Sequence, residues 1–91
     1  MPSNKQDAVQ SIRMYSTTWC GDCRRSKRFF QEHQIDFEEI DIEKNPEAAA
    51  IVISLNHGMR SVPTIVFPDG SVLVEPSNTT LASKLGIKSQ L

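Results

Sequence analysis

The chain has 91 residues, a formal net charge of −1 at pH 7 and 38% hydrophobic residues. This length suits one compact domain and leaves no room for a second. The nearly balanced charge excludes the broad basic surface that binds nucleic acid by neutralising many phosphates.

The N-terminal segment predicts neither secretion nor membrane insertion. Residues 1–10 are polar and lack the apolar stretch of a signal peptide. We interpret them as a flexible lead-in to a domain over residues 11–91. The longest apolar helical stretch, residues 48–53, is far shorter than the roughly 20 residues that cross a bilayer. We therefore expect a cytoplasmic protein without membrane contact.

The first half of the domain predicts a strand, a helix and a second strand. Residues 11–16 alternate apolar and polar side chains, which is typical of a strand. A helix then runs from the cysteine motif to about Gln34, with Phe29 and Phe30 as its main apolar anchors. Residues 35–42 predict a second strand, although the alternation breaks in its middle.

The next segment predicts a helix and a hairpin. Asn45 followed by Pro46 indicates a helix start. An asparagine side chain can accept hydrogen bonds from the free N–H groups of the first turn, and proline lacks the N–H that would have no partner at the first helical position. Residues 56–58, Asn-His-Gly, end this helix. Residues 64–67 and 71–74 flank a Pro-Asp-Gly turn, which predicts an antiparallel hairpin.

The last predicted helix covers residues 78–85. Ser77 is its candidate N-cap and Gly86 its candidate C-cap, with Ile87 in the apolar contact that accompanies such a cap. The element order is then β-α-β-α-β-β-α. This order predicts an α/β fold with a mixed four-stranded sheet and helices on both of its faces.

Cys20 and Cys23, the only two cysteines, form a C-x-x-C motif where the first helix starts. At the N-cap, Cys20 would accept hydrogen bonds from backbone N–H groups, which together with the helix dipole favour the thiolate. We therefore interpret Cys20 as an exposed nucleophile. Cys23, one turn on and less exposed, would resolve a mixed disulfide. Arg24 and Arg25 lie near Cys20 in sequence, and we expect their charge to favour the thiolate further.

A zinc site is the main alternative for a C-x-x-C motif. The other ligands are not evident, because His33 and His57 are the only histidines and lie far apart in sequence. The two cysteines are also too close in sequence for a disulfide that stabilises the fold. We expect a chemical role for the pair and no bound metal.

Two separated motifs and a turn carry a family resemblance. They are residues 15–23, Tyr-Ser-Thr-Thr-Trp-Cys-Gly-Asp-Cys, residues 61–64, Ser-Val-Pro-Thr, and the Asp69-Gly70 turn. Over about residues 11–86 the chain resembles the glutaredoxins of the thioredoxin superfamily, most of all the short bacterial mycoredoxin-like subgroup. The resemblance implies a thioredoxin-like fold. It also implies an enzyme that reduces protein disulfides, or mixed disulfides with low-molecular-weight thiols, through its C-x-x-C motif.

The same resemblance implies how a substrate is held beside the reactive sulfur. In the family the proline corresponding to Pro63 is cis and packs beside that sulfur. The backbone of the preceding residue, here Val62, then pairs with an extended substrate as an added strand. Trp19, next to Cys20, would shape the rim of the site.

The family binds the glutathione carboxylates with basic residues and with a Gly-Gly-x-Asp segment before the last helix. This chain has Glu-Pro-Ser-Asn at residues 75–78 instead. Glu75 would repel a carboxylate, and the proline after it has no N–H to donate. Ser77, Asn78 and Arg60 are the remaining candidates for holding an anionic group.

The resemblance implies no bound cofactor and a monomer that acts on disulfide-containing proteins. The co-substrate would be glutathione, mycothiol or bacillithiol. A flavoprotein reductase, as for thioredoxin, is an alternative electron donor. An iron–sulfur carrier is a further alternative that ranks lower, because family members of that kind have Cys-Gly-Phe-Ser where this chain has a second cysteine.

Overall fold

The computed structural model describes residues 11–87. In chain order the elements are β1 (Ile12–Ser16), α1 (Gly21–Glu32), β2 (Phe37–Asp41), α2 (Pro46–Leu55), β3 (Thr64–Val66), β4 (Val72–Val74) and α3 (Asn78–Leu85). The predicted element order is confirmed. The predicted flexible lead-in, residues 1–10, lies outside the described residues. Within residues 11–87, every helix is too short or too polar to cross a membrane.

The strands form one mixed sheet in the order β2-β1-β3-β4, which confirms the predicted architecture. β1 and β2 are parallel, with Ser16 opposite Asp41. β3 runs antiparallel to β1, and β4 antiparallel to β3. Because β1 is an inner strand, the loop that follows it leads directly from the middle of the sheet to the cysteine motif.

Helices cover both faces of the sheet, also as predicted. Side chains alternate along a strand, so Met14 faces the layer of α1 and α3 whereas Tyr15 faces α2. Phe30 is 0% exposed in the larger of these two cores. Its ring centroid lies 5.0 Å from that of Phe37 and 6.2 Å from that of Phe29. The larger core comprises Ile12, Met14, Phe29, Phe30, Ile65, Phe67, Leu81 and Ala82.

The predicted helix caps are present. Asn45 Oδ1 accepts a hydrogen bond from the Ala48 N–H at 3.1 Å, and Ser77 Oγ accepts one from the Thr80 N–H at 3.1 Å. Gly86 ends α3 in the left-handed conformation, with φ 71°. These contacts span only a few residues, which is why the sequence pattern was sufficient to predict them.

Helix α1 ends at Glu32, two residues earlier than the sequence predicts. Gln34 adopts a left-handed conformation, with φ 56°. The Ile35 N–H then donates to the Phe30 carbonyl at 2.8 Å, across five residues. This bond is the one found in left-handed helix caps, which glycine usually forms. Because glutamine occupies the position, the sequence gives no clear stop signal.

Candidate active site

Cys20 occupies the N-cap of α1, as predicted. Its backbone is extended, with φ −85° and ψ 117°, and its Sγ accepts a hydrogen bond from the Cys23 N–H at 3.1 Å. The partial positive charge of a helix N-terminus favours an anion at this place. The position therefore suits a thiolate.

Both cysteines are buried, and this finding corrects the expectation of an exposed Cys20. Cys20 is 7% exposed and Cys23 is 1% exposed, so the predicted order of exposure holds. The Cys20 thiol lies against the Val62 carbonyl and donates to it at 3.8 Å. Val62 is 42 positions away in sequence, so the sequence around the cysteines gives no sign of this contact.

The Val62–Pro63 peptide bond is cis, as the resemblance implies. Pro63 is fully buried, and its carbonyl accepts a hydrogen bond from the Glu75 N–H at 2.8 Å. This bond joins the loop before β3 to the segment before α3. The fold thus brings Cys20, Val62, Pro63 and the backbone of Glu75 together.

Trp19 lies at the surface next to Cys20, with 64% of the residue exposed. Its indole Nε1–H donates to Glu43 Oε2 at 3.0 Å. This hydrogen bond ties the ring to the loop that follows β2. Trp19 is therefore placed at the rim of the site, and its contact with a substrate stays a prediction.

The other predicted substrate-binding residues lie at the start of α3 and in a loop. The Ser77 hydroxyl is engaged in capping α3, and Asn78 is the first residue of that helix. Arg25 Nη2 donates to the Pro76 carbonyl at 3.4 Å, which ties α1 to this segment. Arg60 is exposed in the loop between α2 and β3. Their role in holding a small thiol stays a prediction.

The arginines early in α1 interact with neighbouring groups. Arg25 Nη1 lies 3.0 Å from Asp22 Oδ1, so Asp22 compensates part of its charge. Arg24 Nη1 donates to the Thr18 carbonyl at 3.0 Å. The influence of both arginines on Cys20 stays a prediction. Among residues 11–87, no group of three or more His, Cys, Asp and Glu side chains is placed to hold a metal ion.

Comparison with known proteins gives one family. The family model described as Glutaredoxin matches residues 12–73. This span is more than half of the chain, and it includes both cysteines and the Val62–Pro63 bond. The chain belongs to the glutaredoxin family.

Individual relatives agree with this family. A Mycobacterium tuberculosis protein named for the glutaredoxins is 44% identical over 75 residues, which cover 82% of this chain and 89% of that protein. Mycoredoxin 1 of Corynebacterium glutamicum is 30% identical over 77 residues, covering 85% and 95% of the two chains. The solved structure of an Archaeoglobus fulgidus glutaredoxin has a TM-score of 0.73 at 24% identity, covering 92% of this chain and 96% of that one. The predicted thioredoxin-like fold is confirmed.

In this glutaredoxin, Cys23 is the thiol that is difficult to ionise. Burial raises the pKa of Cys23 from an ordinary 9.0 to about 12, and the hydrogen bond with Cys20 acts in the same direction. The charges of Cys20 and Glu39 raise this pKa further, whereas a backbone hydrogen bond with Thr17 lowers it. Cys23 is therefore protonated at neutral pH.

We expect this glutaredoxin to lose stability at alkaline pH because of Cys23. The unfolded chain releases the thiol proton near pH 9.0, whereas the folded chain holds it until about pH 12. The stabilisation is therefore complete below pH 9.0 and is lost as the pH rises toward 12. Relative to Cys23→Ser, the wild type should lose up to about 1.4 kcal/mol of unfolding free energy per pH unit in this window.

Urea unfolding at a series of alkaline pH values measures this loss in both proteins. The Cys23→Ser variant is the control, because it removes the Cys23 thiol and leaves the rest of the sequence the same. If the two proteins show the same pH dependence, the proposed protonation of Cys23 is wrong.

The fold of this glutaredoxin brings two acidic residues to the site that the sequence motifs do not indicate. Glu43 holds Trp19, and Glu39 accepts a hydrogen bond from Ser16 Oγ at 3.0 Å. Glu39 lies on the same face of β2 as Phe37, which packs against the larger core. The break in alternation near the middle of the predicted second strand is the only signal in the sequence that points to it.

Proposed function

We propose that this protein is a cytoplasmic thiol–disulfide oxidoreductase that uses both cysteines. The Cys20 thiolate attacks a substrate disulfide, forms a mixed disulfide and releases one substrate sulfur as a thiolate. Cys23 then attacks the Cys20 sulfur, which forms the intramolecular disulfide and releases the second substrate thiol. Two molecules of a small thiol reduce this disulfide and leave as their own disulfide. Both electrons pass between sulfur atoms, so the reaction needs no bound cofactor.

The position of Cys20 supports this proposal most directly. Its sulfur is the N-cap acceptor of α1, and the group that donates to it belongs to Cys23. The attacking and resolving thiols are therefore one helical turn apart on the same side of α1. The Val62 carbonyl borders the same sulfur. A substrate strand that pairs with the Val62 backbone would bring its disulfide to Cys20.

We propose mycothiol as the electron donor. Glu75 holds a left-handed conformation, with φ 51°, at a place where the family has glycine, and its exposed carboxylate adds negative charge there. Glutathione and bacillithiol carry carboxylates, which this charge would repel, whereas mycothiol carries none. The identity with mycoredoxin 1 supports the same choice.

A comparison of donors tests the proposed function. Reduction of a small mixed disulfide by the wild type is measured in four parallel assays. The electron donor is mycothiol, glutathione, bacillithiol, or a thioredoxin reductase with its reduced nicotinamide cofactor. We expect the largest kcat/KM with mycothiol, and no turnover with any donor would overturn the proposed reaction. A larger kcat/KM with another donor would overturn the choice of mycothiol alone.

A matched variant sharpens the donor comparison. Glu75→Gln keeps the size of the side chain and removes its charge. We expect it to raise kcat/KM for glutathione by about fivefold, the factor for about 1 kcal/mol between two unit charges in water. The value for mycothiol should stay the same. If both values change together, charge repulsion by Glu75 is not the cause of the preference.

Cys23→Ser separates the two chemical steps. Without the resolving thiol, a mixed disulfide on Cys20 is released only by a second small thiol. We expect Cys23→Ser to retain the reduction of small mixed disulfides and to lose the reduction of protein disulfides. Equal loss of both activities would contradict the assignment of Cys23 to the resolving step.

A further inference from the structure

An open pocket lies behind Cys23, on the side of α1 that faces the sheet. Its volume is about 380 Å³, and Cys23, Ser16, Thr17 and Glu39 are among the residues that line it. A water molecule occupies about 30 Å³ of liquid, so the pocket has room for several. Cys23 and Glu39 therefore border one cavity, and Cys20 is not among the residues that line it.

Glu39 is the carboxylate that the sheet directs into this region. The parallel register pairs Glu39 with Met14, which is part of the core under α1. Glu39 Oε2 accepts a hydrogen bond from Ser16 Oγ at 3.0 Å, and Oε1 lies 3.0 Å from Lys27 Nζ. Its side chain is 34% exposed, so the carboxylate also reaches solvent.

Thr17 also lines the pocket and carries a buried hydroxyl group. Its Oγ1 is buried and has no hydrogen-bond partner among the described residues, and Thr17 as a whole is only 4% exposed. A buried hydroxyl without a partner is costly unless water satisfies it. Thr17 lines the same pocket as Cys23 and Glu39.

The resolving step requires a proton acceptor. Cys23 attacks as a thiolate, yet burial and its neighbours raise its pKa to about 12. Burial, the largest cause of the raised pKa, remains in the mixed disulfide, although the Cys20 sulfur then carries no charge. The Cys23 proton must therefore leave before or during the attack.

We propose that Glu39 accepts the Cys23 proton, by way of water in this pocket, during the resolving step. This inference rests on the proposed function. The S–H bond of Cys23 breaks, a new S–S bond joins Cys23 to Cys20, and the bond from Cys20 to the substrate sulfur breaks. The substrate sulfur leaves with the electron pair of that bond. The proton taken up by Glu39 returns through solvent to the released thiolate.

Several charged groups face the pocket besides Glu39. Lys27 and Arg24 project from α1, and Asp41 lies two positions after Glu39 on β2. Lys27 pairs with the carboxylate and holds it beneath the first turns of α1. Any change at Glu39 also frees Lys27, so the test needs a variant that removes Lys27 alone.

A rapid-quench experiment measures the two steps separately. Reduced protein is mixed with an excess of hydroxyethyl disulfide, and acid stops the reaction at successive times. Intact mass then distinguishes the reduced protein, the mixed disulfide on Cys20 and the intramolecular disulfide. Glu39→Gln should form the mixed disulfide at the wild-type rate. It should convert this species to the intramolecular disulfide at least about 100-fold more slowly at neutral pH, the lower end of the range for general base catalysis.

The controls are matched in charge and position. Glu38→Gln makes the same change one residue away, on the opposite face of β2 beside Arg13 and Tyr15, and should convert normally. Lys27→Gln removes the ion pair but keeps the carboxylate and its hydrogen bond from Ser16 Oγ, so its conversion should stay much closer to the wild-type rate than that of Glu39→Gln. The difference in conversion rate between Glu39→Gln and the wild type should disappear as the pH rises, because hydroxide then accepts the proton in place of the carboxylate. The midpoint of urea unfolding should be similar in all three variants.

The opposite outcome has a distinct physical meaning. If Glu39 acted only through its negative charge, its removal would favour the Cys23 thiolate and accelerate conversion. Conversion that is faster than in the wild type, or unchanged, would therefore overturn the proposed role of Glu39. Absence of both the mixed disulfide and the intramolecular disulfide in the wild type would instead overturn the proposed function.

Discussion

Replacing Cys20 with serine is expected to reduce disulfide reduction to the uncatalysed background with every electron donor. Serine has no thiolate, so it cannot attack a disulfide or carry the mixed disulfide. The fold should be retained, because serine is among the preferred N-cap residues and can accept the hydrogen bond from the Cys23 N–H. Loss of turnover can therefore be assigned to chemistry rather than to unfolding.

Activity assays and unfolding curves of the same Cys20→Ser preparation check this expectation. Cys23→Ser is the matched control, because it makes the same replacement of sulfur by oxygen at the other cysteine of the motif. Turnover of Cys20→Ser above the rate of the small thiol alone would show that another group is the nucleophile. Such a result would remove the basis for the proposed reaction.

Replacing Phe30 with alanine is expected to lower the free energy of unfolding by about 3–5 kcal/mol. Phe30 is completely buried between α1 and the sheet, and its ring packs against those of Phe29 and Phe37. The change leaves a cavity in a core that cannot fully collapse around it. The free energy of unfolding of a small domain is only about 5–15 kcal/mol, so this loss would be a large fraction of it.

Urea unfolding followed by far-ultraviolet circular dichroism measures the loss. Tryptophan fluorescence is a poor probe here, because the single tryptophan, Trp19, is already 64% exposed in the folded protein. Arg28→Ala is the control on the exposed side of α1, and it should change stability by less than about 0.5 kcal/mol. If Phe30→Ala had as small an effect as Arg28→Ala, the described packing of α1 would be wrong.

Local features of the fold could be predicted from the sequence because they depend on residues close together in the chain. The caps formed by Asn45 and Ser77 each join a side chain to an N–H three residues away. The N-cap position of Cys20 has the same local origin. The strand and helix order followed from such signals and from the period of the apolar residues. The family resemblance then implied the cis bond at Val62–Pro63, which residue patterns alone do not reveal.

The pairing of distant segments decided the rest. Cys20 is buried because Val62, 42 positions away, reaches its sulfur. Glu39 reaches the pocket behind Cys23 because β2 pairs with β1 in one register, and a shift of one residue would turn its side chain to the other face. The chain alone therefore determined which thiols can react and where the helix that carries them begins. Only the tertiary structure decided what surrounds those thiols, because burial and charge at a site depend on every segment packed against it.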